Sequence, residues 1–97
     1  MKTYTICGSM RFAKQMKEIA YYLETQKSFN VLQCVYIAKD VKFSENDLLA
    51  LQNAHYKKID ISDGIYVLNI GGYIGESVRK EIAYAQTHGK EIVYHCN

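Results

Sequence analysis

The 97-residue, 11.2 kDa chain is 48% apolar and carries 12 basic against 10 acidic residues. That suits one globular domain and excludes intrinsic disorder, which needs low hydrophobicity and high net charge. A net charge of +2 gives no electrostatic case for nucleic acid or a membrane surface as partner, and no apolar run could cross a bilayer.

From the N-terminus, Lys2–Cys7 reads as a strand that stops at Gly8-Ser9, where Ser9 can cap the next element. The spacing of Phe12, Met16, Ile19, Ala20 and Leu23 predicts a helix over Met10–Gln26 with one apolar stripe. Lys27-Ser28-Phe29-Asn30 breaks it, and Val31–Ile37 reads as a second strand. Residues 38–43 are polar and irregular. Ser44-Glu45-Asn46-Asp47 then offers capping side chains for a helix over Glu45–Ile61, with Leu48, Leu51, His55, Ile59 and Ser62 on one face. Asp60 and Asp63 bracket the entry to the third strand, Ile65–Ile70, and read as capping and turn residues. Its nearly unbroken apolar run suits a central strand covered on both faces. Gly71-Gly72 ends it. The last helix is expected over Gly75–His88, with Gly89 just past its end, and the last strand over Glu91–Cys96.

Alternating strands and helices imply a parallel sheet with right-handed crossovers. The fold expected for residues 1–97 is a single small doubly wound α/β domain. It is a three-layer sandwich of flavodoxin-like or Rossmann-like type, with a four-stranded parallel sheet in the order 2-1-3-4. Such sheets bind ligands outside the carboxyl ends of the strands, at the switch point, here between strands 1 and 3.

Two glycine-marked loops converge there. In the first, Gly8, Ser9, Met10 and Arg11 combine a close-approach glycine, a helix N-terminus that attracts anions, and a cation poorly placed for the helix dipole unless an anion binds. The second follows Asn69 and runs Gly71-Gly72-Tyr73-Ile74-Gly75-Glu76-Ser77. It matches neither the dinucleotide fingerprint nor a P-loop, yet it suits close backbone approach to a ligand, with Asn69, Gly71, Gly72, Tyr73 and Ser77 as candidate contacts. With Val78 at 0° and about 100° per residue, Ile82 falls near 40°, Ala85 near 340° and Glu81 near 300°. Glu81 therefore flanks the buried stripe, and no charged residue stands three or four positions away, whereas Glu76 has Lys80 at i+4. Such a carboxylate, leaving the switch-point loop, is a candidate for catalysis. His55, on the apolar face of the second helix, is read as a satisfied core residue or a site residue.

Cys7, Cys34 and Cys96 show neither paired nor C-x-x-C spacing, and His88 and His95 show no ligand spacing, so no disulfide framework and no metal site are expected. Cys7 reads as a small buried hydrophobe, with a nucleophile as the alternative. Met1-Lys2-Thr3-Tyr4 lacks the apolar stretch of a signal peptide, and a reduced, cytoplasmic protein is the default. Nine tyrosines suit pockets and subunit interfaces, and also strands.

Thr5-Ile6-Cys7-Gly8-Ser9-Met10-Arg11-Phe12 resembles the first strand and loop of the nucleoside 2-deoxyribosyltransferase-like superfamily. Glu81-Ile82-Ala83-Tyr84-Ala85-Gln86-Thr87-His88-Gly89-Lys90-Glu91-Ile92 resembles the helix that carries that family's nucleophilic glutamate. His55–Ser77 resembles a subgroup of short bacterial and phage proteins. The resemblance implies an enzyme acting on the N-glycosidic bond of a nucleoside or nucleotide, a transferase or a hydrolase, with Glu81 as nucleophile and no cofactor. It also implies Gly8, Ser9 and Arg11 at the sugar 5′-hydroxyl or phosphate, and a homodimer or higher homo-oligomer. His55 stands near the position where the transferases carry an aspartate, and is expected to act as a base or to orient Glu81. The alternative is a non-catalytic nucleotide-binding or ligand-sensing module. A third reading, a nucleotide phosphoribohydrolase, rests on the fainter similarity of Gly71–Glu81 to a Gly-Gly-x-Gly-Thr loop.

Overall fold

The computed structural model describes residues 1–96. Four parallel strands, β1 (Thr3–Cys7), β2 (Asn30–Leu32), β3 (Gly64–Val67) and β4 (Glu91–Tyr94), form one sheet in the order β2-β1-β3-β4. Three helices connect them: α1 (Ala13–Gln26), α2 (Glu45–Asp60) and α3 (Glu76–Thr87). The fold is the doubly wound α/β sandwich that the alternation of patterns predicts.

Period-two alternation along the strands divides the core between the two faces of the sheet. Ile6, Val31 and Leu68 pack with Met16, Ala20 and Leu23 of α1. Cys7, Ile65 and Val67 pack on the other side with Ile59 of α2 and Val78 and Ala85 of α3. Thr5, which is buried, shares a 2.6 Å hydroxyl–hydroxyl bond with Ser62, and Ser62 donates to the Lys58 carbonyl at 2.7 Å. Gly64 is required by strand spacing, since a Cβ there would stand 2.4 Å from the Glu91 carbonyl oxygen.

Element ends depart from the sequence pattern in four places, each for a packing reason. Residues 10–12 form a 3-10 turn before α1, and the Ser9 hydroxyl accepts from the Arg11 N–H at 3.3 Å. β2 stops at Leu32, five residues early: it pairs β1 only from Thr3↔Asn30 to Thr5↔Leu32. Cys34, Val35 and Ile37 then line a cavity instead of extending the ladder. β3 ends at Val67, and Gly71 and Gly72 turn in a 3-10 segment at φ +63° and +79°, where side-chain-bearing residues are strained. β4 ends at Tyr94, where Asn69 takes over the pairing: its amide donates to the Cys96 carbonyl at 2.8 Å and its oxygen accepts from the Cys96 N–H at 2.7 Å.

α2 begins with a capping box: Ser44 accepts from the Asp47 N–H at 3.1 Å and Asp47 accepts from the Ser44 N–H at 3.0 Å. Only the C-terminal part of its apolar stripe reaches the core. Ile59 is fully buried, whereas Leu48 is 43% exposed. The N-terminal half of α2 therefore runs past the sheet beside the switch point. Among the described residues no helix is long and apolar enough to cross a membrane.

Candidate functional site

A cavity of about 390 Å³ opens at the carboxyl ends of β1 and β3. This lies within the size range of small-ligand sites. Gly8, Ser9 and Met10 form one wall, α2 a second, the start of α3 a third, and residues Cys34, Val35 and Ile37 a fourth. The switch point is where the crossovers to either side of β1 part, so a crevice there follows from the topology.

At the cavity three side chains from three elements meet. His55 Nε2 stands 3.2 Å from Glu81 Oε1 and 3.5 Å from Cys7 Sγ. The His55 and Glu81 side chains are 12% and 16% exposed, and Cys7 is 1% exposed. The three donor atoms all lie within 4.8 Å of one another. His55 Nδ1 is buried without a hydrogen-bond partner. With a proton on Nε2, His55 donates to Glu81 Oε1, which can only accept. Burial, then the Glu81 charge beside it, pushes the Cys7 thiol well above its ordinary pKa. Cys7 is therefore a neutral thiol and a poor nucleophile. Nor do these groups form a nucleophile–base–orienter relay, because Cys7 and Glu81 approach the same ring nitrogen rather than opposite ones.

The structure brings together Gly8, Ser9, Met10, His55, Tyr73, Ser77 and Glu81 around this cavity. It places the remaining candidates elsewhere. Arg11 does not line the cavity; its guanidinium lies 3.8 Å from the centre of the Tyr73 ring. That cation–π contact gives the arginine a partner without an anion. Asn69 is engaged with Cys96, and Gly71 and Gly72 shape the turn outside the cavity wall. Asp60 and Asp63 act as bonding groups at the strand entry: Asp60 accepts from the Tyr84 hydroxyl and Asp63 from the Thr3 N–H at 2.8 Å.

Sequence reasoning missed Cys7 as a partner of His55 and Glu81, and missed Lys58 in the lining. Cys7, His55 and Glu81 have no local spacing, since 48 residues separate the first two. The signal that was present is topological: Cys7 is the last residue of β1, at the switch point itself. Comparison with protein-family models, with curated proteins and with solved structures finds no match for this chain.

Proposed function

We propose that the chain is an enzyme acting on the N-glycosidic bond of a nucleoside or nucleotide, with Glu81 as its nucleophile. The observation that carries this reading is the Glu81 carboxylate, mostly buried, held by His55 at 3.2 Å, and lining the switch-point cavity. The resemblance of Thr5–Phe12 and Glu81–Ile92 to the nucleoside 2-deoxyribosyltransferase-like superfamily supports it. A carboxylate suits this chemistry because cleavage at an anomeric carbon passes through an oxocarbenium-like transition state that a nearby anion stabilises.

Glu81 attacks the anomeric carbon and forms an ester while the carbon–nitrogen bond breaks. The base leaves with that electron pair and takes a proton from water. Water, or a second base, then attacks the anomeric carbon, and the carbon–oxygen bond to Glu81 breaks with its electron pair restoring the carboxylate. The attacking group's proton neutralises the hydroxide left by the first step. His55 is a positioning residue that fixes one carboxylate oxygen so that the other faces the sugar. Leu48, Leu51, Val35 and Ile37 supply apolar walls for a base, and Gly8, Ser9 and Ser77 supply polar groups near the sugar.

A second reading, a nucleotide-binding module without chemistry, is favoured by one observation. Glu81 Oε1 is already engaged by His55 at 3.2 Å, so that oxygen is not free to attack a substrate. A panel of nucleosides and 5′-monophosphates assayed for free base separates the two. Release by the wild type, lost by roughly a thousandfold or more in Glu81→Gln with binding retained, supports the enzyme. Binding without release leaves the module, and equal turnover by Glu81→Gln removes Glu81 as nucleophile.

A further inference from the structure

We propose that Cys7 Sγ, His55 Nε2 and Glu81 Oε1 form a three-ligand site for a borderline-soft divalent cation, zinc above all, with its fourth position open to the cavity. The separations carry the argument. Tetrahedral zinc with sulfur at about 2.3 Å and nitrogen and oxygen at about 2.0–2.1 Å spaces its ligands about 3.6 Å for sulfur–nitrogen and about 3.3 Å for nitrogen–oxygen. The protein presents 3.5 Å and 3.2 Å, and all three ligand atoms lie within 4.8 Å of one another, so an ion needs only the Cys7 and Glu81 side chains to close toward about 3.6 Å. The approach of two groups to one ring nitrogen, which defeats a catalytic relay, is what ligands around a common ion produce.

Charge and chemistry agree. A thiolate and a carboxylate together neutralise a dication, and the imidazole binds neutral, so the filled site carries no net charge into a largely apolar cavity. Binding forms bonds from the metal to Cys7 Sγ, His55 Nε2 and Glu81 Oε1. The Cys7 proton leaves to solvent and the His55 proton moves from Nε2 to Nδ1, so that the Nε2 lone pair can ligate, and nothing is oxidised or reduced. One sulfur and one imidazole nitrogen select zinc or cobalt over magnesium and calcium, which prefer oxygen. His55 Nδ1 lacks the hydrogen-bond partner that usually orients a ligating histidine, so affinity should fall about 10–100-fold below a fully supported site. A bound cation occupies Glu81. If the glycosidic reading above holds, the metal therefore suppresses base release and a chelator restores it.

The test is titration of the full chain with Co²⁺, read by the thiolate-to-cobalt charge-transfer absorption, followed by displacement with Zn²⁺. We expect one equivalent to bind, with the band lost in Cys7→Ser and kept in Cys34→Ser and Cys96→Ser. Zinc affinity should fall roughly tenfold or more in Glu81→Gln and in His55→Gln. No band at cobalt saturation overturns the site, as does a band that disappears with Cys34 or Cys96 instead of Cys7. Zinc affinity unchanged in both Glu81→Gln and His55→Gln overturns it equally, and this holds even if Cys7→Ser fails to fold. None of these readouts uses catalysis, so failure of the glycosidic reading leaves the metal result standing, and the reverse.

Discussion

The two cations nearest the glycine loops and the cavity, Arg11 and Lys58, differ in their surroundings. Arg11 is satisfied by the Tyr73 ring, and Lys58 lines the cavity. A nucleotide phosphate would therefore meet Lys58 rather than Arg11. We expect calorimetry to show 5′-monophosphates binding roughly tenfold more tightly than nucleosides, as one charge-assisted hydrogen bond provides. Lys58→Ala should erase that preference and Arg11→Ala should leave it nearly intact; the opposite pattern would restore Arg11 as the anion contact. At the far end of β1, Tyr4 is buried and donates to Glu91, which also pairs with Lys2 at 3.1 Å. Burial, then that bond, pushes the Tyr4 phenol up from 10.0 to about 12. The same bond and Lys2 hold the Glu91 carboxyl below its usual range. The signs differ. A raised phenol gives stability that is present below pH 10 and lost as pH rises toward about 12, while the depressed carboxyl gives stability lost as pH falls through its folded value. Denaturant unfolding of Tyr4→Phe should show a shallower alkaline decline than wild type. It will not be flat, because Tyr36 is also raised to about 12 by burial.

At the scale of the element, strand ends are set by what replaces the ladder. Asn69 holds Cys96 through two hydrogen bonds, so Asn69→Ala should free the end of β4 and cost about 1–3 kcal/mol in chemical denaturation. Gly64→Ala should cost about as much or more, because the added methyl meets backbone that cannot move without parting β3 from β4. A Gly64→Ala variant of wild-type stability would show that the two strands are spaced more widely than described. The departures of β2 and β3 from their sequence patterns have one physical origin. Apolar alternation reports burial, and it cannot say whether a residue is buried by a neighbouring strand or by a cavity wall. Ile37 reads as strand for that reason, yet it is half-buried against the cavity, while Val35 lines the cavity from an exposed position. Likewise Leu68 is buried although it lies beyond the ladder, because it packs against α1.

For the molecule as a whole, the loop of residues 33–44 holds few internal backbone bonds, with Val41 N–H donating to the Ala38 carbonyl at 3.1 Å. Its amides should exchange with solvent far faster than those of β1 and β3, and a ligand in the cavity should slow them. Exchange as slow as in β1 without ligand would mean the loop is already closed. Assembly stays a proposal carried by surface tyrosines. Tyr21 and Tyr22 of α1 are exposed, while Tyr84 is engaged within the chain against Tyr56, His88 and Asp60. A homo-oligomer seen by light scattering and weakened by Tyr21→Ser should leave Tyr84 unaffected.

From the sequence alone the order of elements, the parallel sheet, its strand order and the crevice between strands 1 and 3 were legible. Periodicity reports which side of each element is buried, and parallel connections have one preferred hand. The candidate carboxylate was legible too, because Glu81 flanks the apolar stripe of α3 with no charged neighbour along the helix. Tertiary structure alone decided what Glu81 touches. His55 and Cys7 reach it from α2 and from the end of β1, and only the packing of α2 and α3 on one face of the sheet brings them to within 4.8 Å of one another. It also decided that Arg11 turns to Tyr73 and that Asn69 holds the end of the sheet. Side chains far apart in sequence choose their partners by distance in space, and that distance is set by the assembled core, not by any local spacing.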